Sequence, residues 1–487
     1  MRTLAPILAL MLLAGAAGCA VNPVTKRTDF NIISTEKEKE IGKNAAAEVA
    51  AQMGIYNNPD LDAYVNEVGQ RLASHSPRQD VTYTFAVIDT DEVNAFALPG
   101  GYVYVTRGIL VLTNSEDELA CVIGHEIGHV AARHSAQQIS RSAPLGVLTG
   151  ITAGVAGLAS PILGNLVGGV GQLASGLILA PYSREQEREA DRVGQQLAAE
   201  SGWNPAAMTN FLTTLQREEA VLGARASKFN FLSTHPTTPE RIENTRIYAT
   251  ELHRADVPPL TPTRAAFLHR LNGLPTSVRV ADGYFDGRAF IQPDFDIRID
   301  FPEGWKQRNT PAAAVAAEPS GDAFLILSLA AQSDDPLDGA RKMAHEIGER
   351  LMQQVETTTV GSLEAARTVF RARTDGDEVG VDVTWIAYRG NVFQITGVSS
   401  VSDLTTFQRS FGAARESFRP LTAEERAAVR EDRLRLTEAR RGESAKEVVA
   451  RTGSTWSADM FEVANGLNSA EVPAGETVKV SISEKYE

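Results

Sequence analysis

The run His125-Glu126-Ile127-Gly128-His129 constrains this chain more than any other feature. Side chains four residues apart on a helix stand one above the other, so both imidazoles can reach one zinc ion at about 2.0–2.1 Å. Glu126 lies between them and can act as general base on a water that the metal activates. The flanks favour a helix: Ser115 and Glu118 have the spacing of a capping box, and Leu119, Val122, Ile123 and Val130 supply a buried face. A hydrolytic centre of this kind needs a third protein ligand and an open fourth position. The segment from Tyr182 to Asp191 offers three carboxylates, Glu185, Glu187 and Glu189. Glu187 and Asp191 share a helical face, so one could bind metal while the other accepts the spare N–H of a ligand imidazole. Spacing alone does not choose Glu187 over Glu185.

Three runs, taken in order, carry a resemblance: Asn94-Ala-Phe-Ala-Leu-Pro-Gly-Gly-Tyr-Val-Tyr-Val-Thr-Arg-Gly108, then His125 to His134, then Ser183 to Asp191. Over residues 35–250 the chain resembles the CAAX-prenyl-endopeptidase-like, HtpX-type zinc metallopeptidases, which include a periplasmic β-barrel-assembly-enhancing protease. The family's E-x-x-x-D motif falls on Glu187 and Asp191, which implies Glu187 as third ligand of one zinc per chain and Asp191 as the partner behind it. Its His-Pro motif, with Arg six residues after the His, matches His235-Pro236 and Arg241. The resemblance implies that His235 and Arg241 face the catalytic centre beside Glu126. His134 matches the pattern too, but an imidazole at the end of a helix is read first as a partner of the end dipole. Cys121 reads as a small buried apolar residue.

The N-terminus says where such chemistry takes place. Arg2, an apolar run from Leu4 to Leu13, and Ala16-Ala17-Gly18-Cys19 read as a signal peptide, residues 1–18. The box resembles a bacterial lipoprotein signal, which implies lipid on Cys19 and, since Ala20 is not aspartate, an outer-membrane lipoprotein facing the periplasm. Cys19 and Cys121 are the two cysteines, so a lipidated Cys19 leaves no intramolecular disulfide. The formal net charge of −14 argues against nucleic acid and against attraction to anionic membranes. Attachment would rest on lipid.

The expected fold class is multidomain. A polar tether (19–34) leads to a mainly α, gluzincin-type zinc peptidase domain with a small sheet (35–255). The strand Tyr102–Thr106, just ahead of the zinc helix, is placed to pair with extended substrate. The apolar, Gly-rich stretch 144–180 reads as a helical hairpin beside the site, with a membrane hairpin as the alternative. A proline-rich linker (256–264) precedes an α+β domain (265–420) that weakly resembles the PsbP-like fold. A charged helical linker (421–431) follows. The tail (432–487) has a strand-helix-helix-strand pattern similar to a LysM module, with Gly442-Glu443-Ser444 at the position of Gly-Asp-Thr. That likeness implies peptidoglycan as a partner; a protein-docking role is the alternative. The expected function is a zinc endopeptidase acting on misfolded or stalled envelope proteins. The competing expectation is a chaperone or wall-bound adaptor that binds the same clients without turnover, against which the intact Glu126 argues.

Overall fold

The structure is a computed structural model describing residues 19–142, 178, 181–223, 230–347, 354–373, 378–469 and 471–486. The expected hairpin at 144–180 lies outside the described residues except for the buried Ile178. No helix among the described residues is long and apolar enough to cross a membrane.

Residues 19–34 are not a free tether. Strands β1 (Cys19–Val21) and β2 (Thr28–Phe30) form an antiparallel hairpin. Helices α1 (Thr35–Met53) and α2 (Pro59–Ala73) follow, separated where Gly54 takes φ 73° and Asn58 caps α2. A three-stranded sheet comes next: β3 (Thr84–Ile88), β4 (Ala95–Leu98) and β5 (Tyr102–Thr106), in the order β3-β5-β4. Gly100 and Gly101, at φ 82° and 107°, make the turn between β4 and β5. Alternation sorts the side chains by face. Ile88, Phe96, Leu98 and Tyr104 pack on α1, while Val87, Ala95, Val103 and Val105 join the main core. Because β5 is central, with β3 parallel on one side and β4 antiparallel on the other, its edges are already paired. The expectation that β5 pairs with substrate is therefore corrected: both of its edges are taken, by β3 and β4.

Helix α3 (Arg107–Leu112) leads into α4 (Glu116–Ala131), which carries the His-Glu-Ile-Gly-His run and is buried along almost its whole length. After a break at Arg133, φ 60°, come α5 (His134–Ser142), α6 (Arg184–Glu200), α7 (Ala207–Leu222), the short α8 (Phe231–Thr234) and α9 (Pro239–Glu251). Helices α4 and α6 approach closely: a Cβ on Gly194 would lie 2.7 Å from His125 N, and one on Gly128 would lie 2.9 Å from Ala190 O. Glycine is what lets the two helices touch.

Residues 256–264 do not act as a linker. Buried Glu116 accepts from Leu260 N, Thr261 N, Thr261 Oγ1, Tyr64 OH and Trp203 Nε1 at 2.5–2.9 Å. The next helix, α10 (Arg264–Leu271), packs Phe267, Leu268 and Leu271 into the peptidase core. Proline content signals stiffness rather than independence, so the middle domain begins later than 265.

That domain has two sheets. One is a four-stranded sheet of β6 (Tyr284–Asp286), β7 (Ala289–Gln292), β8 (Ile297–Asp300) and β16 (Arg419–Pro420). The other is a seven-stranded antiparallel sheet of β9 (Lys306–Thr310), β10 (Ala313–Ala317), β11 (Ala323–Ala331), β12 (Glu356–Val360), β13 (Leu363–Arg373), β14 (Glu378–Tyr388) and β15 (Asn391–Ser400), in the order β12-β13-β14-β15-β11-β10-β9. Helix α11 (Pro336–Ile347) covers one face, and α12 (Leu404–Glu416) with the smaller sheet covers the other. The charged segment expected to be a helical linker splits into helix α13 (Ala423–Ala428) and the start of β17 (Arg430–Glu438). Helices α14 (Ala445–Thr452) and α15 (Ala458–Ala464) and strand β18 (Thr477–Lys485) complete the C-terminal module. Its Leu434 and Ala464 reach into the peptidase core.

Candidate metal centre

Three capped helices deliver the site. Ser115 Oγ accepts the Glu118 N–H and starts α4. The expected capping box is only half made, because Glu118 reaches back to Asn114 N, at 2.7 Å, and not to Ser115. Ser183 and Gln186 form a reciprocal capping box that starts α6, and one turn later α6 presents Glu187 and then Asp191 on the buried face. Thr238 caps α9, with Pro239 at its first turn, and Arg241 follows. His235 ends α8, its backbone N–H donating to Phe231 O at 2.7 Å and its ring stacked on Phe231.

The structure brings together His125, His129, Glu187 and His235, all buried, with one ligand atom of each within 4.8 Å of the others. His125 Nε2 lies 3.0 Å from His129 Nε2 and 3.2 Å from His235 Nδ1. Glu187 Oε1 lies 2.9 Å from His235 Nδ1 and 3.4 Å from His129 Nε2. A tetrahedron with bonds of about 2.0–2.1 Å has edges of about 3.3 Å. Three imidazole nitrogens converging at that separation on a carboxylate fit a zinc ion well. They make a poor hydrogen-bond set, because neutral rings cannot all donate to one another. Of the three competing carboxylates, Glu187 is the one in the cluster; Glu185 is exposed.

The electrostatics suit ligation, which needs neutral imidazole and ionised carboxylate. Burial holds the His129 imidazole well below its ordinary pKa. Burial alone would raise Glu187, but Arg241 and His235 beside it hold its carboxyl well below the usual range. Asp191 Oδ1 stands 3.0 Å from His125 Nδ1, and Arg241 donates to both Asp191 oxygens at 2.6 and 2.8 Å. Arg241 Nη1 is also 2.6 Å from Glu187 Oε2. Arg241, expected at the catalytic centre, thus stands behind the two carboxylates and spends its donors on them and on the carbonyls of His235 and Pro236.

Glu126 differs from the rest. It is fully buried, and neither carboxylate oxygen has a hydrogen-bond partner. Burial pushes its pKa up, with His235 and His125 opposing. His235 Nε2 is 3.7 Å from Glu126 Oε1. An orphaned buried carboxylate is costly unless a reactant supplies the partner.

Two placements were missed in the sequence. His134 does not serve the end of α4. The αL turn at Arg133 starts a new helix, and His134 Nδ1 comes back to within 2.8 Å of His129 Nδ1. Tyr182 stacks on the His129 ring at 3.9 Å and accepts or donates at Ser135 Oγ, 3.2 Å away. Cys121 is buried apart from the cluster, and burial raises its thiol pKa.

With this geometry established, comparison with known proteins locates the domain. Residues 59–248 match the Peptidase family M48, so the chain carries a Peptidase M48 domain. The chain is 34% identical over 223 residues to the mitochondrial metalloendopeptidase OMA1 of Schizosaccharomyces pombe, covering 45% of this chain and 63% of that protein. It is 32% identical over 225 residues to the β-barrel assembly-enhancing protease of Escherichia coli, covering 45% of each. The chain thus spans about half the length of these curated relatives. A cyanobacterial PsbP from Synechocystis aligns with 30% of this chain at 11% identity and a TM-score of 0.23, too low to carry an argument about fold.

Proposed function

We propose that the chain is a zinc-dependent endopeptidase of the bacterial cell envelope that hydrolyses misfolded or stalled envelope proteins. The observation that carries the reading is the ligand cluster of His125, His129, Glu187 and His235 beside the unpartnered carboxylate of Glu126. A zinc ion held there would polarise the scissile carbonyl and acidify the attacking water. Glu126 takes the proton from that water and returns it to the leaving amine, a role its raised pKa suits. His125, His129 and Glu187 would hold the metal, with Asp191 orienting His125 and Arg241 keeping Glu187 and Asp191 ionised and aimed. His235 could serve as a further ligand in the resting protein, in which case substrate would have to displace it. Once displaced it remains near Glu126 and can donate to the developing oxyanion.

Lipid on Cys19 would place the enzyme at the outer membrane on the periplasmic side, and the C-terminal LysM-like module would offer peptidoglycan contact. The likeness to a β-barrel assembly-enhancing protease supports an envelope role. The second reading, a client-binding chaperone or adaptor without turnover, leaves Glu126 buried, unpartnered and unused. Cleavage of casein or an unfolded outer-membrane protein decides between them. The peptidase reading expects chelator-sensitive cleavage that Glu126→Gln abolishes; binding without cleavage in the wild type overturns it. Radiolabelled palmitate on the wild type and not on Cys19→Ala tests the anchor separately.

A further inference from the structure

The hairpin that follows Cys19 touches the metal centre through a chain of side chains. Val24 N and Thr25 N donate to Asn22 Oδ1 at 2.8 and 3.3 Å. That fixes Nδ2 as the outward atom, and it donates to Asp29 Oδ2 and Glu189 Oε1, each at 3.0 Å. Gln137 Nε2, from α5, donates to the same Asp29 oxygen and holds the hairpin in place. Glu189 Oε2 in turn stands 3.5 Å from His134 Nε2, an electrostatic contact, since that nitrogen makes no hydrogen bond among the described residues. His134 Nδ1 is 2.8 Å from His129 Nδ1. Asn22 and His134 are both buried.

Proton bookkeeping gives this chain a direction. His129 Nε2 points into the ligand cluster, 3.0 Å from His125 Nε2, so its lone pair belongs there and its proton belongs on Nδ1. His129 Nδ1–H then donates to His134 Nδ1, which must be an acceptor. His134 therefore carries its proton on Nε2, the atom facing Glu189. The reverse tautomer of His134 would put two N–H groups face to face and favour the proton of His129 on the ligand nitrogen. Glu189 favours the productive arrangement, and Asn22 keeps Glu189 aimed.

We infer that Asn22 and Glu189 are positioning residues for the metal centre: the relay Asn22–Glu189–His134–His129 holds one proton arrangement and leaves His129 Nε2 free to bind metal. The inference rests on the zinc-peptidase reading of the site. It gives Glu189, a surface-like charge beside the ligand Glu187, a defined task. It also makes the segment next to the proposed lipid site part of the centre, since Asn22 lies three positions after Cys19, at most about 11 Å of extended chain.

The test is the zinc dissociation constant of the full-length protein, measured by competition with a chromophoric chelator, beside thermal unfolding of the metal-free protein. Partners behind a ligand histidine are worth about 10–100-fold in metal affinity. Glu189→Ala is expected to weaken zinc binding by that factor. Asn22→Asp, the same shape but repelling Glu189, should weaken it about tenfold; it lies away from the ligand helices and keeps the inference testable should Glu189→Ala fail to fold. Glu189→Gln, which keeps an acceptor for the His134 N–H, should recover most of the loss. Glu185→Ala, at an exposed carboxylate on the same helix, should bind as the wild type does. Unchanged affinity in Glu189→Ala and Asn22→Asp overturns the relay while leaving the zinc reading standing, as does Glu189→Gln binding as weakly as Glu189→Ala. A wild type that takes up no zinc overturns the metal reading, and the relay with it.

Discussion

At the scale of residues, the proposed reading separates groups that would hold metal from one group that would act on water. His125→Ala, His129→Ala and Glu187→Ala should each lose zinc, read by metal analysis after dialysis. Glu126→Gln should keep its zinc and lose activity by about 10²–10⁴-fold, the usual contribution of a general base. The pair His125 and His129 was legible because helix geometry alone places i and i+4 together. His134 was not, because its role depends on the left-handed turn at Arg133, which no residue type in that run announces. A second prediction concerns Glu218 on α7. Burial, then Glu219 and Glu92, raise its carboxyl to about 7. A carboxyl raised in the folded state stabilises only while protonated, so its favourable contribution is lost as pH rises from its ordinary value towards 7. Glu218→Gln should therefore stabilise the protein at pH 8 by about 1–3 kcal/mol and be neutral at pH 4, read from denaturant midpoints.

At the scale of elements, α4 and α6 matter most, because they carry the three expected ligands between them. Their glycines set the spacing. Gly194→Ala would place a methyl 2.7 Å from His125 N and 3.0 Å from His125 Cα. The helices must then separate by several tenths of an ångström, which pulls Glu187 away from His125 and His129. Zinc affinity should fall at least about tenfold, with a loss of about 1–3 kcal/mol in stability from overpacking. The same substitution at Gly453, which has no atom within 4 Å of a built Cβ, should leave zinc affinity unchanged. Alternation in residues 82–106 was enough to foretell strands, but not their order. Placing β5 between β3 and β4 is a matter of which chain returns where, and it closes both edges of β5.

At the scale of the whole molecule, the C-terminal module is built into the catalytic unit. Lys479 on β18 is fully buried and donates to Val111 O and Thr113 O, at 2.7 and 2.8 Å, at the C-terminal end of α3 and the entry to the active-site helix. Arg264 reaches from α10 to Asn114 Oδ1 and Asn465 O at the same joint. Burial pulls the Lys479 amine well below its ordinary pKa, with Glu118 nearby opposing. Lys479→Met keeps the stem but strips two buried carbonyls of their donor. It should cost about 2–4 kcal/mol and expose residues 439–444 to limited proteolysis, whereas a loosely tethered module would show neither.

The sequence by itself determined what depends on short-range geometry. The helix of His125 and His129 follows from a four-residue spacing and Ser115, the carboxylate face from the spacing of Glu187 and Asp191, and the βααβ tail from its strand-helix-helix-strand pattern. The tertiary structure decided everything that needs distant segments to meet. It chose Glu187 over Glu185, set Arg241 behind the carboxylates, and returned His134 to His129. It also folded the expected tether and the first expected linker onto the peptidase domain, and the second onto the middle domain, where Arg426 pairs with Asp296. Glu116 and Lys479 show why: each is a lone charged residue in the sequence, and each becomes a fastener only when buried among donors or carbonyls contributed by chain far from it. Burial raises the cost of leaving such a group unpaired, and only the assembled fold supplies the partners.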